Sequence, residues 1–210
     1  NGFLIVRLKM SAFIITLASY IWVRGLVLVV SGGRSAQDLA PAIRWFGIQR
    51  LLGLPLTAWI AVACFVIFSL ILAKTPFGRH LVMIGGNETA TFRAGIRVNR
   101  NLVLAFVLAG AIAGLAGWLL AIRTSGATAN LGVGLLFNAF AAVVIGGVSL
   151  KGGVGTLPGV YAGVLLLSAI NTAINLMGLP ANFTQVIHGL LVLAAVLLDA
   201  FKQTIRQKLA

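Results

Sequence analysis

Long hydrophobic runs alternate along this chain with short segments that carry nearly all of its charged residues. A helix that crosses a bilayer needs about 20 mostly apolar residues. Runs of that kind cover residues 11–31, 51–73, 101–122 and 156–176. Residues 124–150 and 183–198 also lack Asp, Glu, Lys and Arg. The pattern therefore predicts an all-α polytopic membrane protein with about six transmembrane helices and both chain ends on the same side.

Residues 124–150 differ from the other apolar segments because they are rich in glycine. We expect irregular backbone over residues 126–134, followed by a short helix over residues 135–148. Irregular backbone at membrane depth is tolerated only where it is buried in protein or lines an aqueous cavity. The segment is therefore a candidate for the lining of a pathway.

Composition and charge agree with a membrane location. Hydrophobic residues make up 60% of the chain and charged residues only 9%, whereas a soluble domain has about 25% charged residues. The formal net charge of +13 raises the question of nucleic-acid binding. The basic residues, however, flank the apolar runs and form no stripe interleaved with aromatic residues, so we expect the lipid bilayer as a partner and no nucleic acid.

The basic residues also predict the orientation, because cytoplasmic loops carry an excess of Lys and Arg. If both ends of the chain are cytoplasmic, eleven basic residues lie inside: Arg7, Lys9, Lys74, Arg79, Arg93, Arg97, Arg100, Lys151, Lys202, Arg206 and Lys208. Four then lie outside: Arg34, Arg44, Arg50 and Arg123. The opposite orientation would violate the rule. Residues 74–100, with five basic residues and the single acid Glu88, are thus predicted to form a cytoplasmic loop on which a partner docks.

One predicted helix carries a line of uncharged polar residues. Ser168, Asn171, Thr172 and Asn175 share a helical face, and Asn138 adds an amide on the preceding short helix. Amides and hydroxyls exchange hydrogen bonds with a polyol without the desolvation cost of a charge. The face is a candidate substrate pathway for a neutral solute. The alternative is interhelical hydrogen bonding, worth about 0.6 kcal/mol per bond.

Other motifs favour packing over chemistry. GxxxG spacings at Gly110 and Gly114, and at Gly155, Gly159 and Gly163, predict close helix contacts. Arg24, inside the first span, is explained by packing or by reaching the interface, with gating as the alternative. Three acids and one cysteine leave no catalytic set, and we expect no cofactor and no metal.

Three segments together resemble the ribose/xylose-type permease family of ATP-binding-cassette importers. They are TPFGRHLVMIGGNETATFRAGI, NAFAAVVIGGVSLKGGVGTLPG and INLMGLPANFTQVIHGLLVLAAVLLD. The resemblance covers essentially the whole chain and implies a single transmembrane permease domain over residues 1–210, similar to the later part of a permease of roughly ten helices, with the front spans missing. Leu136 and Asn138 stand where relatives usually carry acids.

The resemblance also implies partners and a location. These are a cytoplasmic ATPase that hydrolyses the ATP, a periplasmic sugar-binding protein and a second permease subunit, expected as a homodimer, in the bacterial inner membrane. The permease itself is not expected to be an enzyme. Within residues 74–100 the family forms a coupling helix that fits a groove of the ATPase. For this chain, the resemblance implies that the residues in contact with the ATPase are Gly78, Arg79, Ile84, Gly85, Asn87, Ala90, Gly95 and Ile96.

The expected function is the import of a monosaccharide, a pentose, a hexose or a related polyol, by alternating access. A secondary transporter driven by an ion gradient is the main alternative, although it needs an acid or a sodium site within the membrane. A membrane-embedded enzyme and a scaffold without transport activity are the remaining alternatives.

Overall fold

A computed structural model describes residues 1–36, 45–47, 49–149 and 152–178, with residues 186–187, 189–190, 193–194 and 197 beyond them. The chain forms two compact units. The first consists of Asn1–His80 and Phe92–Leu131, and the second of Leu81–Thr91 and Gly132–Ala210. Nine of the 16 residues of the predicted span 183–198 lie outside the described residues, and residues 37–44 and 48 lie outside them as well.

Helices dominate the described residues. In chain order they are α1 (Gly2–Leu8), α2 (Ala12–Ser31), α3 (Leu56–Lys74), α4 (Pro76–Gly86), α5 (Glu88–Arg93), α6 (Val98–Arg123), α7 (Leu135–Ile145) and α8 (Leu157–Leu176). Two short antiparallel strands, β1 (Arg50–Leu51) and β2 (Leu54–Pro55), precede α3. This hairpin occupies residues that we predicted as the start of a span, so α3 begins at Leu56, five residues later than expected.

Four of these helices are long and apolar enough to cross a membrane: α2, α3, α6 and α8. They confirm four of the predicted spans. The predicted irregular backbone after α6 is also present, but α7 has only 11 residues. At 1.5 Å per residue it is about 16 Å long, roughly half the hydrocarbon thickness, so it cannot cross alone. Six crossings therefore stay a prediction.

Residues 74–100, predicted as a cytoplasmic loop that contains a helix, are mostly helical. The segment consists of α4, α5 and the first turn of α6, joined at Asn87 and Gly95. Its glycines and basic residues lie within these helices or at their ends.

In the second unit, α7 and α8 pack through small residues. A Cβ atom at Gly163 would overlap the carbonyl oxygen of Ala142, and one at Gly146 would lie 2.6 Å from the carbonyl oxygen of Gly159. These pairs run in opposite directions along the two helices, so the helices are antiparallel. Ala141, Ala142 and Leu167 form the buried cluster between them. The packing role predicted for Gly159 and Gly163 is confirmed.

The other predicted glycine face behaves differently. A Cβ atom at Gly110 or Gly114 of α6 would meet no atom within 4 Å in the part of the chain that the structure describes. Gly155 precedes α8 and belongs to no helix. Packing through Gly110 and Gly114 is thus wrong for contacts within the described chain, and their face is open.

Local signals explain where α7 ends and α8 begins. At the end of α7, Gly147 adopts a positive φ of 85°, which suits glycine because it has no Cβ. Its N–H donates to Val144 O, and Val148 N–H donates to Val143 O, which is a Schellman ending. Thr156 begins α8, because its Oγ1 accepts from Gly159 N at 3.3 Å.

In the first unit, α1 packs on α6. A Cβ atom at Gly2 would lie 2.8 Å from the Cβ of Phe106. Near the other end of α6, the rings of Phe46 and Trp118 lie 6.4 Å apart. Most large apolar side chains on the long helices remain exposed, as expected for helices whose outer surfaces face lipid or neighbouring subunits.

Candidate functional site

The corner between α3 and α4 is built by Thr75, Pro76 and Gly78. Thr75 Oγ1 donates to Ile71 O at 2.6 Å and accepts from Gly78 N at 3.4 Å. Pro76 is the first residue of α4, where its missing N–H breaks no helical bond. A Cβ atom at Gly78 would overlap the backbone of Leu72, so glycine is required for this close approach. Gly78, predicted as a coupling residue, is buried and has a structural role here.

The two faces of α4 differ. Ile84 is 7% exposed, and Gly85 beside it is half-buried. On the opposite face Arg79 is exposed, together with Val82 and Met83, which are 48% and 46% exposed. This outer face of α4, defined by Arg79, Val82 and Met83, combines one cation with two apolar side chains. Such a surface is suited to a protein partner, because Arg and Met are enriched in interfaces.

Asn87 joins α4 to α5. Its Oδ1 accepts from Ala90 N at 2.9 Å, and its carbonyl accepts from Thr91 Oγ1 at 2.7 Å. Thr91 is only 3% exposed, so this hydroxyl needs its acceptor. Gly95 follows α5 with φ 81° and donates its N–H to Phe92 O. Asn87 and Gly95 therefore build the turns at the two ends of α5.

The eight predicted coupling residues thus do not form one surface. Arg79, Asn87, Ala90 and Gly95 are exposed, Gly85 and Ile96 are half-buried, and Gly78 and Ile84 are buried. The resemblance did not include Val82 and Met83. Their signal is the helical spacing from Arg79, since residues three and four positions apart share a face.

The polar face of α8 is present as predicted. Thr172 Oγ1 donates to Ser168 O at 2.9 Å within the helix, so this hydroxyl is already satisfied. The side chains of Ser168 and Asn175 are exposed and make no hydrogen bond to any other described residue. Asn171 is half-buried beside the α7 contact. The antiparallel pairing of Ala142 with Gly163 brings Asn138, one turn earlier on α7, opposite Leu167.

Arg24 has a partner that sequence reasoning missed. Its Nη2 donates to Asn130 Oδ1 at 2.9 Å, and Asn130 lies in the irregular segment after α6. Ala127 precedes Asn130 in the same irregular segment, and Ala36 follows α2. These two residues exchange two backbone hydrogen bonds of 2.9 and 2.8 Å. The bond to Asn130 replaces part of the hydration that a guanidinium loses at membrane depth. The irregular segment is therefore attached to α2 and to the residues after it.

The described residues contain no group of three or more His, Cys, Asp or Glu placed to hold a metal ion. Cys64 is a half-buried free thiol on α3. The chemistry that the described residues offer is thus hydrogen bonding by neutral groups and docking through basic and apolar surface.

Comparison with known proteins identifies relatives along nearly the whole chain. A family model described as "Branched-chain amino acid transport system / permease component" matches residues 1–196. The L-arabinose transport system permease protein AraH of Escherichia coli K12 is 41% identical over 203 residues, which are 97% of this chain and 62% of the relative. The ribose import permease protein RbsC of Bacillus subtilis is 42% identical over 204 residues, 96% of this chain and 63% of the relative.

The ribose import permease protein RbsC of Escherichia coli K12 is 36% identical over 207 residues, which are 97% of this chain and 64% of the relative. The chain spans less than two thirds of the length of these relatives. No solved structure gives a significant match.

Proposed function

Because this chain belongs to the branched-chain amino acid transport system / permease component family, we propose that it is a membrane subunit of an ATP-binding-cassette importer. Its substrate is a monosaccharide, either a pentose or hexose, or a related polyol. The observation that carries this proposal is the identity of 41% and 42% with an L-arabinose and a ribose permease across nearly the whole chain.

The family's description names a different substrate, so the second candidate is a branched-chain amino acid. An amino acid is zwitterionic at neutral pH, and each charge needs a partner when it leaves water. The polar face of α8 carries only hydroxyl and amide groups, and Asn138 on α7 adds a further amide. These groups match the donors and acceptors of a sugar. The neutral lining therefore favours the sugar.

The subunit works with other chains. We place a cytoplasmic ATPase on the outer face of α4, because this face lies in the segment that the positive-inside rule assigns to the cytoplasm. ATP is hydrolysed on that separate chain and not by the permease. A periplasmic sugar-binding protein delivers the substrate outside, and two permease subunits, as a homodimer, enclose the pathway in the inner membrane. Both ends of this chain are cytoplasmic.

An ion-gradient-driven transporter is less well supported. It needs an acid or a sodium site in the membrane, and the only acid among the described residues is Glu88, at the exposed start of α5. The single cation in a described membrane span away from its ends, Arg24, is bonded to Asn130.

The test is substrate accumulation by cells that lack the gene and by the same cells carrying the complete gene product. We expect loss of the gene to reduce accumulation of radiolabelled L-arabinose or ribose at least tenfold, and complementation to restore it. Leucine accumulation serves as the internal control and is expected to be unchanged. Loss of leucine accumulation with intact sugar accumulation would contradict the proposal and favour the amino acid.

A further inference from the structure

The second half of α4 touches the connection between α7 and α8 through glycine backbones. A Cβ atom at Gly85 would overlap the backbone nitrogen of Gly153. From the other side, a Cβ atom at Gly152 would lie 3.1 Å from the Cα of Gly85, and one at Gly153 would lie 2.7 Å from the nitrogen of Gly86. We call the approach of Gly85 to Gly152 and Gly153 the glycine contact. It has no room for any side chain.

The connection on the far side of this contact is itself braced. Ser149 N donates to Val154 O at 2.9 Å, and Gly152 N donates to Ser149 O at 3.1 Å. Gly152 and Gly153 both have positive φ, 91° and 75°. Leu150 and Lys151 lie outside the described residues. The two glycines on the loop side of the glycine contact are therefore held by hydrogen bonds that Ser149 makes with Gly152 and Val154.

The same turn continues directly into the helix that carries the polar residues. Thr156 begins α8 three residues after Gly153, and Gly159 and Gly163 lock α8 onto α7. The polar face begins one turn later, at Ser168. Leu81–Thr91, α7 and α8 also belong to one compact unit. Backbone contacts thus run without interruption from Gly85 to the polar face.

We propose that the glycine contact transmits displacement of α4 to the α7–α8 pair and so positions the polar face during transport. This inference rests on the proposed function, since the displacement comes from an ATPase docked on the outer face of α4. Backbone in contact with backbone transmits displacement efficiently, because no flexible side chain lies between to absorb it and packed protein is poorly compressible. Gly85 is then a positioning residue that need not touch substrate or ATPase.

The experiment uses the complete gene product in complex with its ATPase, reconstituted in liposomes. Gly85→Ala inserts a methyl group into the glycine contact. We expect sugar uptake to fall at least tenfold while ATP hydrolysis stays within about twofold, so that more ATP is hydrolysed per sugar. Gly86→Ala is the matched control, because a Cβ atom there would meet nothing within 4 Å, and its uptake is expected to stay within twofold of the parent.

A second readout follows α8 itself. Ser168→Cys, in a Cys64→Ser background, is labelled with a maleimide in the presence of ATP and of ADP. In the parent we expect the two rates to differ at least threefold, and in Gly85→Ala to be equal. A merely structural defect would change the labelling rate without abolishing its dependence on nucleotide. Equal rates in the parent, or a preserved difference in Gly85→Ala, would overturn the proposal.

If Gly85→Ala does not assemble, Gly153→Ala alters the contact from the loop side and is measured in the same way. Its control is Gly147→Ala, which has a similar positive φ of 85° but an open Cβ position. Loss of nucleotide dependence in Gly153→Ala but not in Gly147→Ala supports the proposal, and equal behaviour of the two contradicts it. A wrong substrate assignment gives a different result. The parent then takes up no sugar, but the labelling rate of residue 168 in the parent still depends on nucleotide, and its loss in Gly85→Ala still tests the glycine contact.

Discussion

Gly163→Leu is expected to separate α7 from α8 and to lower the stability of the protein more than any other single change considered. The Cβ position at Gly163 is already occupied by the carbonyl oxygen of Ala142, and backbone cannot rotate away as a side chain can. Overpacking costs typically 1–3 kcal/mol, and we expect a value near the upper end, about 3 kcal/mol. The measurement is thermal unfolding of the purified complete protein in detergent, followed by circular dichroism. For a chain of about 150–250 residues, such a loss lowers the midpoint by roughly 6–12 °C.

Gly114→Leu on α6 is the matched control, because a Cβ atom there would meet nothing within 4 Å in the described chain. The same substitution in another long apolar helix should change stability by no more than about 1 kcal/mol, which is the difference in helix propensity between Gly and other residues. Equal midpoints for the two variants would contradict the packing of α7 on α8.

Met83→Asp on the outer face of α4 is expected to weaken association with the ATPase at least thirtyfold. Met83 is 46% exposed, so the change does not disturb a buried cluster. In a desolvated interface the new carboxylate would lack a partner. Substitution of a central interface residue lowers the binding free energy by about 2 kcal/mol or more. This loss corresponds to an increase of about thirtyfold in Kd. Co-purification and quantitative binding of the ATPase in detergent measure the effect.

Asn99→Asp provides the control for charge. Asn99 is exposed in the first turn of α6, beyond α4 and α5, and the substitution adds the same negative charge at almost constant shape. An acid is favourable at a helix N-terminus, so folding is preserved. Equal weakening by both variants would mean that net charge, and not the outer face of α4, determines the association.

The hydrophobic pattern predicted the four long helices because lipid requires continuous apolar surface over a fixed length. The pattern was less accurate for residues at the ends of these helices and between them. The first five residues assigned to the second span form a hairpin, with Pro55 just before α3. Residues 74–100 were predicted as a loop because they lie between two apolar runs and carry five basic residues. Only the spacing of buried Gly78 and Ile84, with Gly85 beside them, reveals the inner face of α4.

Contacts between distant residues were the least predictable part. Arg24 and Asn130 are 106 positions apart, and Asn130 lies in irregular backbone that has no periodicity to indicate its orientation. The glycine contact joins residues that have no side chains, so neither hydropathy nor charge signals it. By contrast, the polar face of α8 was predictable, because the helix is regular and its four polar residues repeat at helical spacing.

The energy source of transport distinguishes an ATP-binding-cassette importer from a transporter driven by an ion gradient. Liposomes containing the complete protein and its ATPase are loaded with ATP or with ADP, and uptake of radiolabelled L-arabinose and ribose is followed with the binding protein outside. We predict that uptake of one sugar requires ATP in the lumen and the binding protein, and that a protonophore does not change it. Uptake with ADP alone, driven by an imposed proton or sodium gradient, would contradict the importer.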